Sequence, residues 1–106
     1  MKYLSRKEEL LLLTIWKLQG NAYGVTIREH VSKTTKKYWS IGAVYDVLDR
    51  LTRREFVSTI ISEPTAERGG KSKRFYQITQ EGFAALNEVK ELEKQMWSDL
   101  PKAETN

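Results

Sequence analysis

Seven consecutive residues, Arg68-Gly69-Gly70-Lys71-Ser72-Lys73-Arg74, place four cations around two glycines. Cations at that density suit phosphate neutralisation, and glycine lets a backbone approach a ligand closely. A second constellation lies upstream, at Ser40-Ile41-Gly42-Ala43-Val44-Tyr45-Asp46-Val47-Leu48-Asp49-Arg50-Leu51. If Ser40 caps a helix here, Val44, Val47, Leu48 and Leu51 face inward. Gly42, Asp46, Asp49 and Arg53 then occupy the opposite face, with Tyr45 and Arg50 on its flanks. The Ser40 hydroxyl and the first amides, beginning at Ile41, could hold a phosphate, and the Tyr45 phenol could donate to another. Asp46 and Asp49 would repel phosphates. They accept from cytosine amines, or orient Arg50 and Arg53, or mark a face that stays out of a groove, and orienting the arginines is the expected role.

Other chemistry is thinly represented. With no cysteine, the chain has no disulfide, thiolate nucleophile or cysteine-based zinc site. His30 stands alone, so no metal ligand set is expected. The nearest thing to catalytic paired carboxylates, Asp46/Asp49 and Glu91/Glu93, lacks the pocket, histidine or metal partner that acid–base catalysis would use. No phosphate loop, dinucleotide fingerprint or catalytic triad is present. An enzyme is not expected, nor is a cofactor.

These side chains need a scaffold. Ser5-Arg6-Lys7-Glu8 has capping-box spacing and predicts a helix from Arg6 to about Leu18, stopped by Gly20-Asn21. Leu11, Ile15 and Leu18 form one stripe of it, while Leu10, Leu13 and Trp16 project elsewhere, so two surfaces must cover it. A second helix follows from Tyr23, Ile27 and Val31, and the Ser40 helix is the third, ending at Arg53-Arg54. The period then changes: residues 56–62 are β-branched, and 73–78 answer as a second strand across a loop holding Pro64 and Gly69-Gly70. Thr79 caps a last helix in which Phe83, Leu86, Val89, Leu92, Met96 and Leu100 recur at threes and fours up to Pro101. That seam suits a partner helix, which with the first helix points to a homodimer through Leu10, Leu13, Trp16 and the seam residues.

The 106 residues fit one domain with one core. The longest apolar run, Leu10 to Leu13, is far shorter than a membrane span, and the N-terminus lacks a signal-peptide pattern, so a cytoplasmic protein is expected. The net charge of +4 hides an asymmetry: residues 1–78 sum to +7 and residues 79–106 to −3. A basic body with an acidic carboxyl-terminal helix suits a nucleic-acid partner for the body alone. The predicted fold is mainly α with a small β-hairpin, a winged helix-turn-helix plus a dimerisation helix. Its divisions are a DNA-binding domain at 1–78, a dimerisation helix at 79–100 and a tail at 101–106. The alternative function is a winged-helix protein-interaction module without DNA readout.

Three stretches carry a family likeness in the right order: Asn21-Ala22-Tyr23-Gly24-Val25-Thr26-Ile27, residues 40–51 as quoted above, and residues 68–82, Arg68 to Gly82. Over roughly residues 5–84 the chain resembles the PadR family of bacterial transcriptional regulators, in its short form with a single carboxyl-terminal helix. The resemblance implies a dimeric repressor that binds an inverted repeat in double-stranded DNA and is released by an effector. It implies a backbone contact for Tyr45, wing positions for Lys73 and Arg74, and a glycine at Gly42 that keeps the backbone near DNA. It also places Trp97 where some short relatives stack hydrophobic or aromatic small molecules, although a plain interface tryptophan fits there too.

Overall fold

A computed structural model of the chain describes residues 2–63 and 72–103. Its elements run α1 (Arg6–Leu18), α2 (Gly24–Thr35), α3 (Ile41–Arg53), β1 (Val57–Ile61), β2 (Arg74–Ile78) and α4 (Gln80–Trp97). This is the expected winged helix-turn-helix with one further helix. Among the described residues no helix is long and apolar enough to cross a membrane.

Local chemistry sets the helix starts. Ser5 accepts from the Glu8 amide at 3.2 Å, and the Glu8 carboxylate accepts from the Ser5 amide at 2.8 Å, closing the capping box. Gln19 in the left-handed region and Gly20 at φ +89° end α1. At the start of α2 the Thr26 hydroxyl accepts from the Tyr23 amide at 3.0 Å, tying the N-cap residue to the first turn, while the Tyr23 side chain makes no capping bond. Ser40 accepts from the Ala43 amide at 3.1 Å, and Thr79 from that of Gly82 at 3.0 Å.

Leu11, Leu12, Ile27, Val31, Val44, Leu48 and Leu51 are fully buried where the first three helices meet. Each such side chain contributes about 1.5–3 kcal/mol of apolar burial before the entropy cost of ordering it. Leu12, which belongs to neither stripe read from the sequence, is thus central, and Leu10 is only half-buried against the same core. The β1–β2 hairpin is antiparallel, with Val57 opposite Ile78 and Ile61 opposite Arg74. The Tyr76 amide donates to the Ala22 carbonyl at 2.8 Å, tying β2 to the α1–α2 turn. The Thr79 amide and hydroxyl donate to the carbonyls of Phe56 (3.1 Å) and Glu55 (2.7 Å), so α4 departs from the base of the hairpin.

Helix α4 runs beside α1. Arg6 lies 3.6 Å from Glu93, and the Trp16 and Phe83 rings meet edge to face at 5.6 Å. Val89 is buried in the protomer's own core, at 6% exposure, rather than standing on an outward seam. The helix also stops at Trp97, short of the expected Leu100. Asp99 has φ +65° and Leu100 precedes a proline, a position that disfavours the helical region.

Candidate nucleic-acid interface

The outward face of α3 is open. Gly42, Tyr45, Asp46, Asp49 and Arg53 are exposed, while Val44, Val47, Leu48 and Leu51 hold the helix down from behind. Ser40 and Ile41 at its start are exposed as well. Among the described residues nothing outside α3 itself lies within 4 Å of the point where a Gly42 Cβ would stand, so the backbone there faces open space.

Tyr45 is 42% exposed, because one side of its ring lies on α2. A Cβ added at Gly24 would sit 2.6 Å from the Tyr45 Cζ and overlap the hydroxyl. The absence of a side chain at Gly24 therefore seats the tyrosine.

The arginines are arranged differently from expectation. Among the described residues Arg50 and Arg53 form no ion pair with Asp46 or Asp49. Arg50 is half-buried and turns toward α1, where it lines a cleft with Lys7 and Glu8, so the aspartates do not orient it. Burial raises the Tyr76 phenol above its ordinary pKa of 10.0; the hydrogen bond and charge of Arg74 oppose this, while Tyr45 and Asp49 reinforce it. Tyr45, Asp49 and Arg74 are thus close enough for their charges to act on Tyr76.

Of the expected loop cations, Lys73 and Arg74 fall on described residues; Arg68 and Lys71 lie outside them. Arg74 is exposed at the start of β2. Lys73 places its Nζ 4.1 Å from the Tyr23 ring centroid, and that ring meets Phe75 edge to face at 5.4 Å. This cation–π clamp joins the hairpin to the start of α2. Sequence reading missed it, because residues fifty apart in the chain meet only once β2 docks; the aromatic spacing of Tyr23 and Phe75 from Lys73 carries no local signal.

The apolar residues expected at a subunit interface divide in two. Leu13, Trp16, Phe83 and Leu86, with Glu9 and Lys90, line a cleft of about 350 Å³ between α1 and α4. Farther along, Leu92, Met96, Trp97 and Leu100 are exposed, Met96 at 75% and Trp97 at 67%. Among the described residues no group of three or more metal-ligating side chains converges.

Comparison with known proteins bears on this arrangement. The model of the Transcriptional regulator PadR-like family matches residues 12–88. Among solved structures, a PadR-like transcriptional regulator from Bacillus cereus strain ATCC 14579 superposes with TM-score 0.70 at 21% identity, over 92% of each chain. A PadR-like transcription factor from Bacteroides fragilis gives TM-score 0.69 at 25% identity, covering 86% of this chain and 85% of its own. RosR from Halobacterium salinarum gives 0.65 at 23% identity, covering 94% and 81%. No protein of curated function matches the sequence.

Proposed function

Because this chain belongs to the PadR-like family of transcriptional regulators, we propose that it works as a homodimer that reads an inverted repeat in double-stranded DNA and represses the promoter holding it. In this reading α3 of each protomer enters a major groove with Ser40, Ile41, Gly42, Tyr45 and Asp46 toward the duplex. Lys73 and Arg74, continued by Arg68 and Lys71, meet neighbouring phosphates. Arg50 flanks the groove. The observation that carries this reading is the open face of α3, braced by a buried apolar side.

The subunit contact would use α1 and α4, where Leu13, Trp16, Phe83, Leu86, Leu92, Met96 and Leu100 leave apolar surface on a protomer of this size. Leu10 and Val89 would support that surface from within. Two recognition helices then stand about 34 Å apart, one turn of DNA. An exposed Trp97 supports an aromatic or hydrophobic effector that loosens the dimer.

The test is a competition gel shift with the DNA upstream of the chain's own gene against random DNA at moderate salt. A preference for the upstream fragment, lost when Tyr45, Lys73 and Arg74 are replaced by Ala, is expected. Absence of any preference, or a triple variant that still represses a reporter, favours a protein-docking role instead. Titration of planar aromatics against the wild type and Trp97→Leu tests the effector.

A further inference from the structure

The amino-terminal arm and the last turn of α3 enclose a cleft of about 730 Å³ that adjoins the recognition face and shares Arg50 and Arg53 with its edge. Six cations line it, with Glu8 as the one carboxylate among the lining residues. Glu8 is already matched, since Arg54 donates to its two oxygens at 2.8 and 2.9 Å. Arg6 is committed to Glu9 at 3.0 Å and lies 3.6 Å from Glu93. Lys2, Lys7, Arg50 and Arg53 remain without an ion-pair partner among the described residues.

Two further features favour an anion. The Arg50 Nε is buried and has no hydrogen-bond partner among the described residues, so its N–H is a donor without an acceptor there. The Ser5 cap satisfies the amides of Glu8 and Glu9, leaving those of Arg6 and Lys7 at the positive end of α1 beside the cleft. A single carboxylate would leave most of these cations unmatched. A phosphate group offers more charge and several acceptor oxygens, a better complement to arginine forks and free amides.

We infer that this cleft binds a phosphate group through Lys2, Lys7, Arg50 and Arg53. The phosphate belongs either to the DNA backbone flanking α3 or to a free phosphorylated ligand. The first source rests on the proposed function; the second does not.

Two assays on the full chain and on Lys7→Gln/Arg50→Gln separate the sources. In the first, pyrophosphate is titrated at constant ionic strength and the melting temperature is read. A rise in the wild type that the variant loses assigns a free ligand. In the second, DNA affinity is followed against salt. A slope of log K on log salt flattened by about 0.9 for each lost contact assigns the backbone. No change in either assay, with circular dichroism showing both proteins folded, overturns the site. If the double variant does not fold, Lys2→Gln and Arg53→Gln, both exposed, replace it in both assays, and each outcome keeps its meaning. Should Tyr45→Ala abolish sequence preference while the cleft variants change nothing, the cleft falls and the regulator reading stands. A wild type without sequence preference but stabilised by pyrophosphate gives the reverse.

Discussion

Tyr45 and Gly24 act as a unit, because the phenol lies where any Gly24 side chain would be. Gly24→Ala should therefore cost about 1–3 kcal/mol of stability by overpacking, and should weaken DNA binding by displacing Tyr45. The same substitution in a Tyr45→Ala background should cost much less, a coupling that a double-mutant cycle of thermal melts would read. Glu8 is a second residue with a distinct signature. Burial pushes its pKa up, but the Ser5 amide, the Arg54 hydrogen bonds, the Ser5 hydroxyl and the Arg54 charge together outweigh burial and hold it below 4.5. Its stabilising contribution is thus complete above pH 4.5 and disappears as pH falls through the lower folded value. Stability of the wild type should decline through that acid window. Glu8→Gln should lose about 2 kcal/mol at neutral pH and show a flatter acid limb in urea titrations.

At the scale of elements, the junction of hairpin and α4 is the least forgiving. A Cβ at Gly82 would overlap the Phe56 carbonyl oxygen and stand 2.8 Å from the Ile78 Cγ2, so backbone would have to move. Gly82→Ala should lower stability by about 2–3 kcal/mol, and hydrogen exchange should show the gain in opening concentrated in the first turn of α4. Caps made most boundaries legible: Ser5, Ser40 and Thr79 each carry an oxygen that satisfies a first-turn amide, a signal contained within four residues. What escaped depended on distance along the chain. The Glu8–Arg54 pair, the Lys73 clamp on Tyr23 and the seat of Tyr45 on Gly24 each join separate elements. The period of α4 showed which residues share a stripe but not where that stripe turns, so Val89 went inward while Met96 stayed outside. Helix α4 ends three residues before its apolar period does, because the turn begins at Ser98, ahead of the proline that signals it. The role expected for the aspartates failed because Arg50 had a second neighbour, α1, that its own helix could not reveal.

The whole protomer is drawn out: its Cα radius of gyration is 16.1 Å, against about 13 Å for a compact chain of this length. Beyond the Arg6–Glu93 contact the last turn of α4 carries the exposed Met96 and Trp97 past the start of α1. In the dimer proposed above, Leu92→Lys/Met96→Lys should give a folded monomer. Sedimentation would report half the mass with helical content nearly unchanged, and unchanged mass would place the subunit contact elsewhere. The hairpin has a different consequence for handling the protein. β2 is tied on its far side to the α1–α2 turn through Tyr76 and Ala22, whereas β1 is the outer strand of a two-stranded sheet and exposes Ser58, Thr59, Ile60 and Ile61 together. An open strand rim with two isoleucines is a template for edge-to-edge pairing. Concentrated stocks should accumulate strand-paired aggregates at this rim, and Ile60→Lys should raise the solubility limit while leaving the melting temperature nearly unchanged.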